Sequence, residues 1–509
     1  MKIESIAMSK KKGTPKGQVR EAVLVPEHGV EGDAHAGSWH RQVSFLASES
    51  IEKARELGLD VGFGDFAENI ATSGIDWMKI PVGARIRLGP DALVEVTQIG
   101  KECHTRCAIY YTAGDCIMPR EGIFARVLKG GKISVGDEIR VLENASAEKL
   151  SAREKETMEK IRAIKDELGN ELIILTHHYQ RREIVELGDF KGDSLGLSQK
   201  AAADKSAKYI IFCGVHFMAE SAAILAQDHQ VVQIPDEEAG CWLADMVDIC
   251  LVERAWDELT SILGPDALLP VVYMNSDADL KAFCGRHGGV VCTSSNAGDA
   301  LRWGFSRREK VLFFPDQHLG RNSGNNLGMK PEEMIVWDPH EKLGGNSAEE
   351  LRGAKLILWD GYCLVHTRFK VEHIEEMRER YPGAKIVVHP ECTQEVVALA
   401  DAVGSTSFIV KYVEKAPPGS TIVIGTEVNL VRRLAAEHPD KRIVELHKSL
   451  CPNMFKIDLD KLLWTLENLG KVNVVQVPAD IKRDAKAALE RMLDLAPKEK
   501  KGGGEQKVA

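Results

Sequence analysis

The sequence predicts a multidomain protein in which a mostly-β N-terminal region precedes a larger α/β region. Residues 1–143 consist of short apolar segments separated by glycine, and Gly-Asp pairs begin at positions 32, 64, 114 and 136, a pattern typical of strands joined by tight turns. From residue 171 onward the apolar runs are continuous and alternate with helical periodicity. Such runs indicate parallel strands buried on both faces, and 509 residues leave room for several domains.

The N-terminal region, 1–143, is expected to form a barrel or sandwich of short strands. The segments VSFLAS, ARIRLG, LVEVTQIG and ISVGDEIRVL predict strands, and SESIEKARELGL predicts one helix. Residues 144–170 are rich in Ala, Glu and Lys. This composition predicts a solvated helical connector at a domain boundary.

Eight apolar runs predict the strands of the region 171–495: LIIL, YIIF, VVYM, VVCT, VLFF, LILW, IVVH and IVIG. Turn residues bound each run and helical periodicity follows it, which favours several small α/β units over a single sheet. The pattern alone leaves the number of units open. The last residues, 496–509, offer too little apolar surface for a core and are predicted to be disordered.

Charge and composition exclude several classes of protein. The net charge is −10 and no long basic stripe exists, so a nucleic-acid partner is not expected. The sequence has no run of about 18 apolar residues, so no membrane span is expected. The start, MKIESIAMSKKKG, has no apolar signal segment, and eleven cysteines are scattered along the chain. We therefore expect a cytoplasmic protein whose thiols act as ligands or nucleophiles and not in disulfides.

Polar side chains collect where the predicted parallel strands end. Ligands bind at the carboxyl ends of strands in such folds, and several polar clusters on successive strands are hard to explain as packing, because buried polar groups need partners. Hydroxyl groups also lie at predicted helix starts, where they act as caps or as binders of carboxylate and phosphate. The residues concerned are His177, His178, Tyr179, Ser194, Tyr273, Asn275, Cys292, Ser294, Ser295, Cys363, His366, His389, Glu391, Cys392, Ser405 and Thr406.

The region 171–470 resembles the quinolinate synthase family. The motifs HHYQ, GDFKGDSLGLS, AGCWLADM, VVYMNSDADLKAF, CTSSNA, FFPDQHLGRN, GYCLVHTRF, VVHPEC, GSTS, IGTE and CPNMFK occur in the family's order. The resemblance implies three similar α/β/α domains around a pseudo-threefold axis. It also implies a [4Fe–4S] cluster whose ligands are Cys241, Cys363 and Cys451, which leaves one iron open to act as a Lewis acid.

The same resemblance implies a reaction and the residues that serve it. Iminoaspartate would condense with dihydroxyacetone phosphate to give quinolinate, a precursor of NAD. Phosphate and two waters would be released. Glu391 is the first candidate acid/base, with Tyr273, His177 and His366 as further catalytic candidates. The motifs place the following residues around the substrate: His177, Tyr179, Ser194, Tyr273, Asn275, Ser294, His389, Glu391 and Thr406.

Residues 1–143 resemble a MOSC domain, the module found at the C-terminus of molybdenum cofactor sulfurases. The segments that carry the resemblance are GVEGDAHAGSWHRQVSFLASES, GDFAENIATSGID, GKECHTRCAIY and REGIFARVLKGGKISVGDEI. It implies a reactive thiol that handles persulfide sulfur or binds molybdenum cofactor, with Cys107 the first candidate, Cys103 the second and Cys116 close by. Zinc binding by Cys103, His104 and Cys107, or no ligand at all, is the alternative.

Two other functions remain open at this point. The N-terminal region could be a regulatory or interaction module without chemistry, and the C-terminal region could be another [4Fe–4S] lyase or hydratase. For the quinolinate synthase reading, the expected partners are an L-aspartate oxidase or dehydrogenase that supplies iminoaspartate and a cysteine desulfurase that supplies sulfur.

Overall fold

A computed structural model describes residues 1–12, 14–37, 41–56, 58–77, 80, 84–100, 117–142, 150 and 152–495. The chain forms two compact units, Met1–Lys149 and Leu150–Ala509. Cys103, Cys107 and Cys116 lie outside the described residues, as do Gly114 and the tail 496–509. Within the described part of the chain, no helix combines the length and the apolar character that a membrane crossing needs.

The first unit is rich in strands, as the sequence predicts. One eight-stranded sheet has the order β11-β7-β8-β9-β5-β6-β1-β2, and a three-stranded sheet has the order β10-β3-β4. The strands are β1 (Lys2–Met8), β2 (Gly17–Val19), β3 (Glu21–Val25), β4 (Gly29–Val30), β5 (Val43–Ala47), β6 (Ile70–Ser73), β7 (Arg85–Leu88), β8 (Ala92–Ile99), β9 (Ile123–Lys129), β10 (Gly131–Ser134) and β11 (Ile139–Val141). The helices are α1 (Ser48–Glu56) and α2 (Met118–Glu121).

Local sequence explains these strands and their turns. Burial alternates along β8, which packs one face inward and leaves the other half-exposed. Gly32, Gly64 and Gly136 of the predicted Gly-Asp turns have φ of 80°, 90° and 93°, a region that favours glycine. A side chain at Gly64 would also place its Cβ 2.3 Å from the Lys16 carbonyl oxygen.

The second unit contains three parallel sheets. Their orders are β13-β12-β14-β15, β17-β16-β18-β20-β19 and β22-β21-β23-β24, and every strand pair in them is parallel. The strands are β12 (Leu172–His177), β13 (Phe190–Gly192), β14 (Tyr209–Cys213), β15 (Val231–Gln233), β16 (Leu268–Tyr273), β17 (Val290–Cys292), β18 (Lys310–Phe314), β19 (Met334–Trp337), β20 (Leu356–Trp359), β21 (Lys385–Val388), β22 (Ala402–Val403), β23 (Thr421–Gly425) and β24 (Arg442–Glu445).

Helices connect these strands, as parallel pairing requires. They are α3 (Ala152–Leu168), α4 (Arg182–Leu187), α5 (Ser194–Ala203), α6 (His216–Leu225), α7 (Ile249–Leu263), α8 (Ala278–Arg286), α9 (Ala297–Phe305), α10 (Gln317–Asn326), α11 (Ala348–Gly353), α12 (Val371–Arg380), α13 (Gln394–Leu399), α14 (Thr406–Lys415), α15 (Val428–Glu437), α16 (Leu459–Glu467) and α17 (Ala479–Leu495). The coarse prediction of an α/β region with parallel sheets is confirmed.

The helix α3 occupies most of the predicted connector. Its Met158 and Ile161 are buried in the core of the second unit, and Arg153 on its first turn lies 2.8 Å from Asp460. The helix therefore packs on the second unit along one face, while its other face carries charged side chains to solvent.

Candidate active site and cysteine loops

A buried carboxylate, Glu391, lies just beyond the carboxyl end of β21. The side-chain amide of Asn322, on α10, donates to the carbonyl oxygens of Pro390 and Cys392, each at 2.8 Å. These two bonds fix the turn that presents Glu391. The Tyr273 hydroxyl, at the end of β16, donates to Glu391, so two sheets contribute to this one contact.

Two histidines flank the same carboxylate. His366 Nδ1 lies 2.6 Å from Glu391 Oε2, and His389 Nδ1 lies 3.7 Å away. The two imidazole rings stack with centroids 4.3 Å apart. Burial alone would raise the pKa of Glu391, but the two histidines and the Tyr273 hydroxyl outweigh it and hold that pKa at about 2. Glu391 is therefore ionised at neutral pH.

A second group of hydrogen bonds orients His366. Its Nε2 lies 3.3 Å from the Thr426 hydroxyl and 3.3 Å from the Tyr179 hydroxyl, and the two hydroxyls are 2.7 Å apart. Thr426 follows β23 and Tyr179 follows β12, so this contact joins the third sheet to the first. Burial, and after it the charge of Glu391, raises the pKa of Tyr179 well above its usual range, which keeps its proton available for donation.

The loop after β17 joins the site through Ser294. Its hydroxyl lies 3.2 Å from His389 Nε2, and the neighbouring Ser295 donates to Asp193 at 2.8 Å. His177 accepts a hydrogen bond from the backbone N–H of Tyr179 at 3.2 Å. Burial lowers the pKa of His177 to about 4 and that of His389 to about 3, so both side chains are neutral at physiological pH.

Three cysteines, Cys241, Cys363 and Cys451, occupy equivalent loops. Each follows the last strand, in chain order, of one parallel sheet. Each carbonyl oxygen accepts a backbone N–H four residues later, at 3.0, 3.0 and 3.4 Å respectively. The next α-helix begins eight residues after every one of them, at Ile249, Val371 and Leu459.

The three thiols also interact electrostatically. Burial raises the pKa of Cys363 well above its usual range, and Glu391, Cys241 and Cys451 raise it further. Burial likewise raises the pKa of Cys241, with Cys451 and Glu391 contributing. Cys363, His366 and Glu391 bring ligand atoms within 4.8 Å of one another. This group could hold a metal ion.

The predicted site residues fall into two groups. Direct contacts join Tyr179, Tyr273, Ser294, His366, His389 and Glu391 into one network, to which His177 is attached. Ser194 and Thr406 begin the helices α5 and α14, and Asn275 lies two residues beyond β16, with its Oδ1 buried and unpartnered. No direct contact within the described part of the chain links these last three residues to Glu391.

Sequence reasoning missed three residues that position this network: Asp193, Asn322 and Thr426. Each lies in a motif that the sequence analysis quotes, and Thr426 is the first residue after β23. The strand-end rule applied to IVIG would have identified Thr426. No pattern in the sequence identifies Asn322, because its side-chain amide bonds to the backbone of a loop that is distant in the chain.

The first unit has a buried polar cluster of its own. Lys16 donates to both carboxylate oxygens of Asp33 at 2.9 Å, and Asp33 also accepts the backbone N–H groups of Ser9 and His35. Nearby, burial raises the pKa of Glu68 to about 7. These contacts hold the predicted turn at Asp33 in place.

Comparisons with known proteins identify the first unit. Residues 32–140 match the family model described as MOSC domain. Among solved structures, YiiM from Escherichia coli is 24% identical with a TM-score of 0.23, over 29% of this chain and 72% of that one. YiiM from Geobacillus stearothermophilus is 22% identical with a TM-score of 0.24, over 33% of this chain and 90% of that one. TM-scores this low add nothing to the family match, so the MOSC assignment rests on the family model.

Comparisons with curated relatives identify the second unit. A quinolinate synthase of Corynebacterium glutamicum is 49% identical over 68% of this chain and 89% of the relative. Those of Geobacillus kaustophilus and Streptomyces coelicolor are each 52% identical over 66% of this chain, and over 92% and 87% of the relatives. Residues 159–494 match the family model described as quinolinate synthetase A protein. The chain therefore belongs to the quinolinate synthase family, an enzyme family of NAD biosynthesis, and carries a MOSC domain ahead of the enzyme region.

Proposed function

We propose that the second unit condenses iminoaspartate with dihydroxyacetone phosphate to form quinolinate, with release of phosphate and two waters, and that a [4Fe–4S] cluster on Cys241, Cys363 and Cys451 serves the reaction. The observation that carries the proposal is the set of three equivalent cysteine loops, each with a helix eight residues on. Family membership favours this activity over that of another cluster-bearing lyase.

The chemistry of the donor set fits such a cluster. Iron–sulfur clusters are held by thiolates. Burial and the neighbouring thiols raise the pKa of Cys241 and of Cys363, and both lack the positive charge that would ionise them. When bound, the cluster would supply a Lewis-acidic iron to a substrate oxygen. Cys213, Cys284, Cys292 and Cys392 are buried and Cys250 is exposed; none of them occupies one of the three loops.

The residues around Glu391 divide the proton transfers. Glu391 is ionised and accepts a proton from the carbon beside a substrate carbonyl, while the adjacent imidazoles stabilise its charge. Tyr273 hydrogen-bonds to Glu391 and can pass a proton between that carboxylate and a departing hydroxyl. His366, held by Thr426 and Tyr179, positions or protonates the substrate from the opposite side.

Neutral donors would hold the anionic substrates. Ser194 and Thr406 offer hydroxyl and backbone N–H groups at helix N-termini, where carboxylate and phosphate bind well. The buried, unpartnered Oδ1 of Asn275 needs a hydrogen-bond donor, which a substrate can provide. His177, Tyr179, Ser294 and His389 complete the proposed substrate contacts. Neutral histidines are suited to a site that must release its anionic product.

We also propose that the three sheets belong to three α/β/α domains around a pseudo-threefold axis. The matching cysteine loops support this arrangement, since a threefold relation would direct one thiol from each domain toward a common point. For the first unit we propose a closed barrel, consistent with its strand-rich sheets.

The role of the MOSC domain rests on residues outside the described part of the chain. We propose that Cys107, with Cys103 as the second candidate, carries persulfide sulfur from a cysteine desulfurase toward the cluster. Binding of molybdenum cofactor and a purely regulatory role are the competing functions. An L-aspartate oxidase or dehydrogenase would supply iminoaspartate, and the cytoplasm suits an oxygen-sensitive cluster.

Iron and sulfide analysis of cysteine variants tests the cluster. Cys363→Ala should lose the cluster and the activity, whereas Cys250→Ser, an exposed thiol outside the three loops, should keep about four irons per chain. Full iron and sulfide content in anaerobically purified Cys363→Ala protein would rule out the ligand assignment.

A further inference from the structure

A group of basic side chains, here the basic cluster, lies at the carboxyl end of the third parallel sheet. Its members are Arg368, His373, His447 and Lys448. His373 lies in the first turn of α12, and the other three lie in two loops. These loops are tied together, because the Ser449 hydroxyl donates to the Val365 carbonyl oxygen at 2.6 Å. The His373 and His447 rings stack almost in parallel, with centroids 3.9 Å apart and 2° between their planes.

Arg368 is the member with the greatest need of a partner. Its side chain is half-buried, and the next residue, Phe369, belongs to the sheet's core. Within the residues that the structure describes, Arg368 forms no ion pair and no hydrogen bond. A partly desolvated guanidinium without a counter-charge is unfavourable unless an anion pairs with it.

The two histidines add neutral donors beside this cation. The backbone N–H of Lys370 donates to His373 Nδ1 at 3.1 Å, so the proton of the neutral ring is on Nε2. Burial lowers the pKa of both His373 and His447, which leaves them uncharged at neutral pH. His373 lies in the first turn of α12, whose N-terminus also favours negative charge.

The acidic residues near the basic cluster do not pair with Arg368. Glu445 is engaged by Arg432 at 3.2 Å and also acts electrostatically on Lys448. Glu372 and Glu376, on α12, act on His373 electrostatically but are exposed, so water screens them. Burial, followed by the charge of Arg432, lowers the pKa of Lys448 to about 7. Among the residues that the structure describes, the half-buried guanidinium of Arg368 therefore has no acidic partner.

We propose that the basic cluster is a binding site for a phosphate group, either inorganic phosphate or a small phosphate monoester. A guanidinium can hold two oxygens of one anion side by side. Imidazole N–H groups and a helix N-terminus from other chain segments can reach the remaining oxygens of a tetrahedral anion. A carboxylate is planar and has only two oxygens, so it offers fewer acceptors than phosphate does to donors that approach from three segments. The site is distinct from Glu391 and does not depend on the proposed reaction.

Calorimetric titration of the full-length, cluster-loaded chain with inorganic phosphate tests this proposal, in buffer with about 0.15 M salt to screen weak surface binding. Arg368→Gln should weaken phosphate binding about tenfold or more, as loss of a charged hydrogen-bond partner does. The matched control is Arg378→Gln, on the far end of α12, where Arg378 already pairs with Asp401. This control should bind phosphate as the wild type does.

Glycerol 3-phosphate and succinate, titrated in the same way, distinguish the ligands. Among binding that Arg368→Gln weakens, tighter binding of glycerol 3-phosphate would assign the site to a monoester and tighter binding of inorganic phosphate to the free ion, and each supports the proposal. Binding of succinate as tight as phosphate would overturn it. Equal phosphate affinity in Arg368→Gln and the wild type would overturn it too. If Arg368→Gln fails to fold, judged by iron content and circular dichroism, His447→Ala provides the same comparison.

Discussion

The chemistry of the enzyme unit centres on one carboxylate held by residues from separate sheets. Glu391 contacts Tyr273, His366 and His389, and the Asn322 amide fixes its backbone. Polar residues at strand ends predicted most of this network from sequence, because carboxyl ends of parallel strands meet at one edge. Thr426 lies at a strand end and was predictable as a candidate, but its partners and the contacts of Asn322 depend on how different sheets approach one another.

Replacement of Glu391 by Gln tests its acid/base role. The amide oxygen can still accept from Tyr273, so the fold and the cluster should survive, but the amide cannot take a proton. Turnover should fall by about 10²-fold or more. Glu395→Gln is the matched control, because Glu395 is exposed on α13, four residues away. Unchanged turnover in the Glu391→Gln enzyme, with full iron content, would contradict the assignment.

The buried carboxyl group of Glu68, in the MOSC unit, should make the stability of the folded protein depend on pH. Burial raises its pKa to about 7 in the folded protein, above the value near 4.3 of an unfolded chain. The folded state therefore binds the extra proton between these values, and this group's contribution to stability is present at low pH and is lost as pH rises toward 7. The carboxylate then remains a buried charge at higher pH.

Glu68→Gln removes that ionisation and keeps an oxygen for the Gly64 N–H, which Glu68 now accepts. The variant should gain melting temperature relative to the wild type at pH 8, with a smaller difference at pH 5. Differential scanning calorimetry at both pH values measures this. Glu56→Gln, at the exposed end of α1, should show no such pH-dependent difference. A Glu68→Gln difference that is equal at both pH values would refute the prediction.

At the level of elements, burial decided which strands the sequence revealed. All eight predicted runs of the second unit are strands, because each is buried almost throughout. The strands that escaped prediction are the short β13, β15, β19, β22 and β24, each of which has at least one position that is not fully buried. A continuous apolar run indicates a central strand that is buried on both faces. A strand at the edge of a sheet can form without such a run.

The cysteine loops show a related limit of sequence reasoning. Cysteine spacing alone does not single out Cys241, Cys363 and Cys451, which are more than 80 residues apart. Once the helix starts are known, the interval of eight residues to the next helix is the same for all three. The Asp that caps α7 and the Asp that caps α16 mark two of these starts in the sequence. At the start of the third helix, α12, the capping position is occupied by Lys370 and not by Asp.

The position of helix α3 indicates where the chain can be cut to separate the enzyme unit from the MOSC unit. Met158 and Ile161 are buried in its core, and a buried apolar side chain of this size contributes about 1.5–3 kcal/mol. A chain that begins at Leu150 should fold cooperatively and accept a cluster. A chain that begins at Leu172 should lose several kcal/mol of unfolding free energy, measured by urea denaturation. Equal stability of the two chains would show that α3 is a dispensable linker.

The whole molecule joins a MOSC domain to a quinolinate synthase in one chain of two compact units. The sequence motifs predicted both families. What the first unit does for the second was not predictable from sequence, because a family name does not determine the function of a domain. If the first unit supplies sulfur, its effect belongs to cluster assembly and not to turnover.

The variant Cys107→Ser tests whether the MOSC unit supplies sulfur to the cluster. With a cysteine desulfurase and cysteine as the sulfur source, the variant should rebuild its cluster more slowly than the wild type. Its turnover after chemical reconstitution should be unchanged, since Cys107 lies outside the enzyme unit. Mass spectrometry should detect added sulfur on Cys107 or Cys103 of the wild type. Absence of added sulfur on Cys103, Cys107 and Cys116 would exclude the carrier role, and bound molybdopterin would favour the cofactor alternative.

The most direct test of the central claim is quinolinate formation by the anaerobically purified, iron-loaded full chain supplied with iminoaspartate and dihydroxyacetone phosphate. We expect catalytic formation of quinolinate with one phosphate released per product and about four irons per chain. Cys363→Ala, assayed beside it, should form none. A fully loaded wild-type chain that releases no phosphate and makes no quinolinate would contradict the proposed reaction.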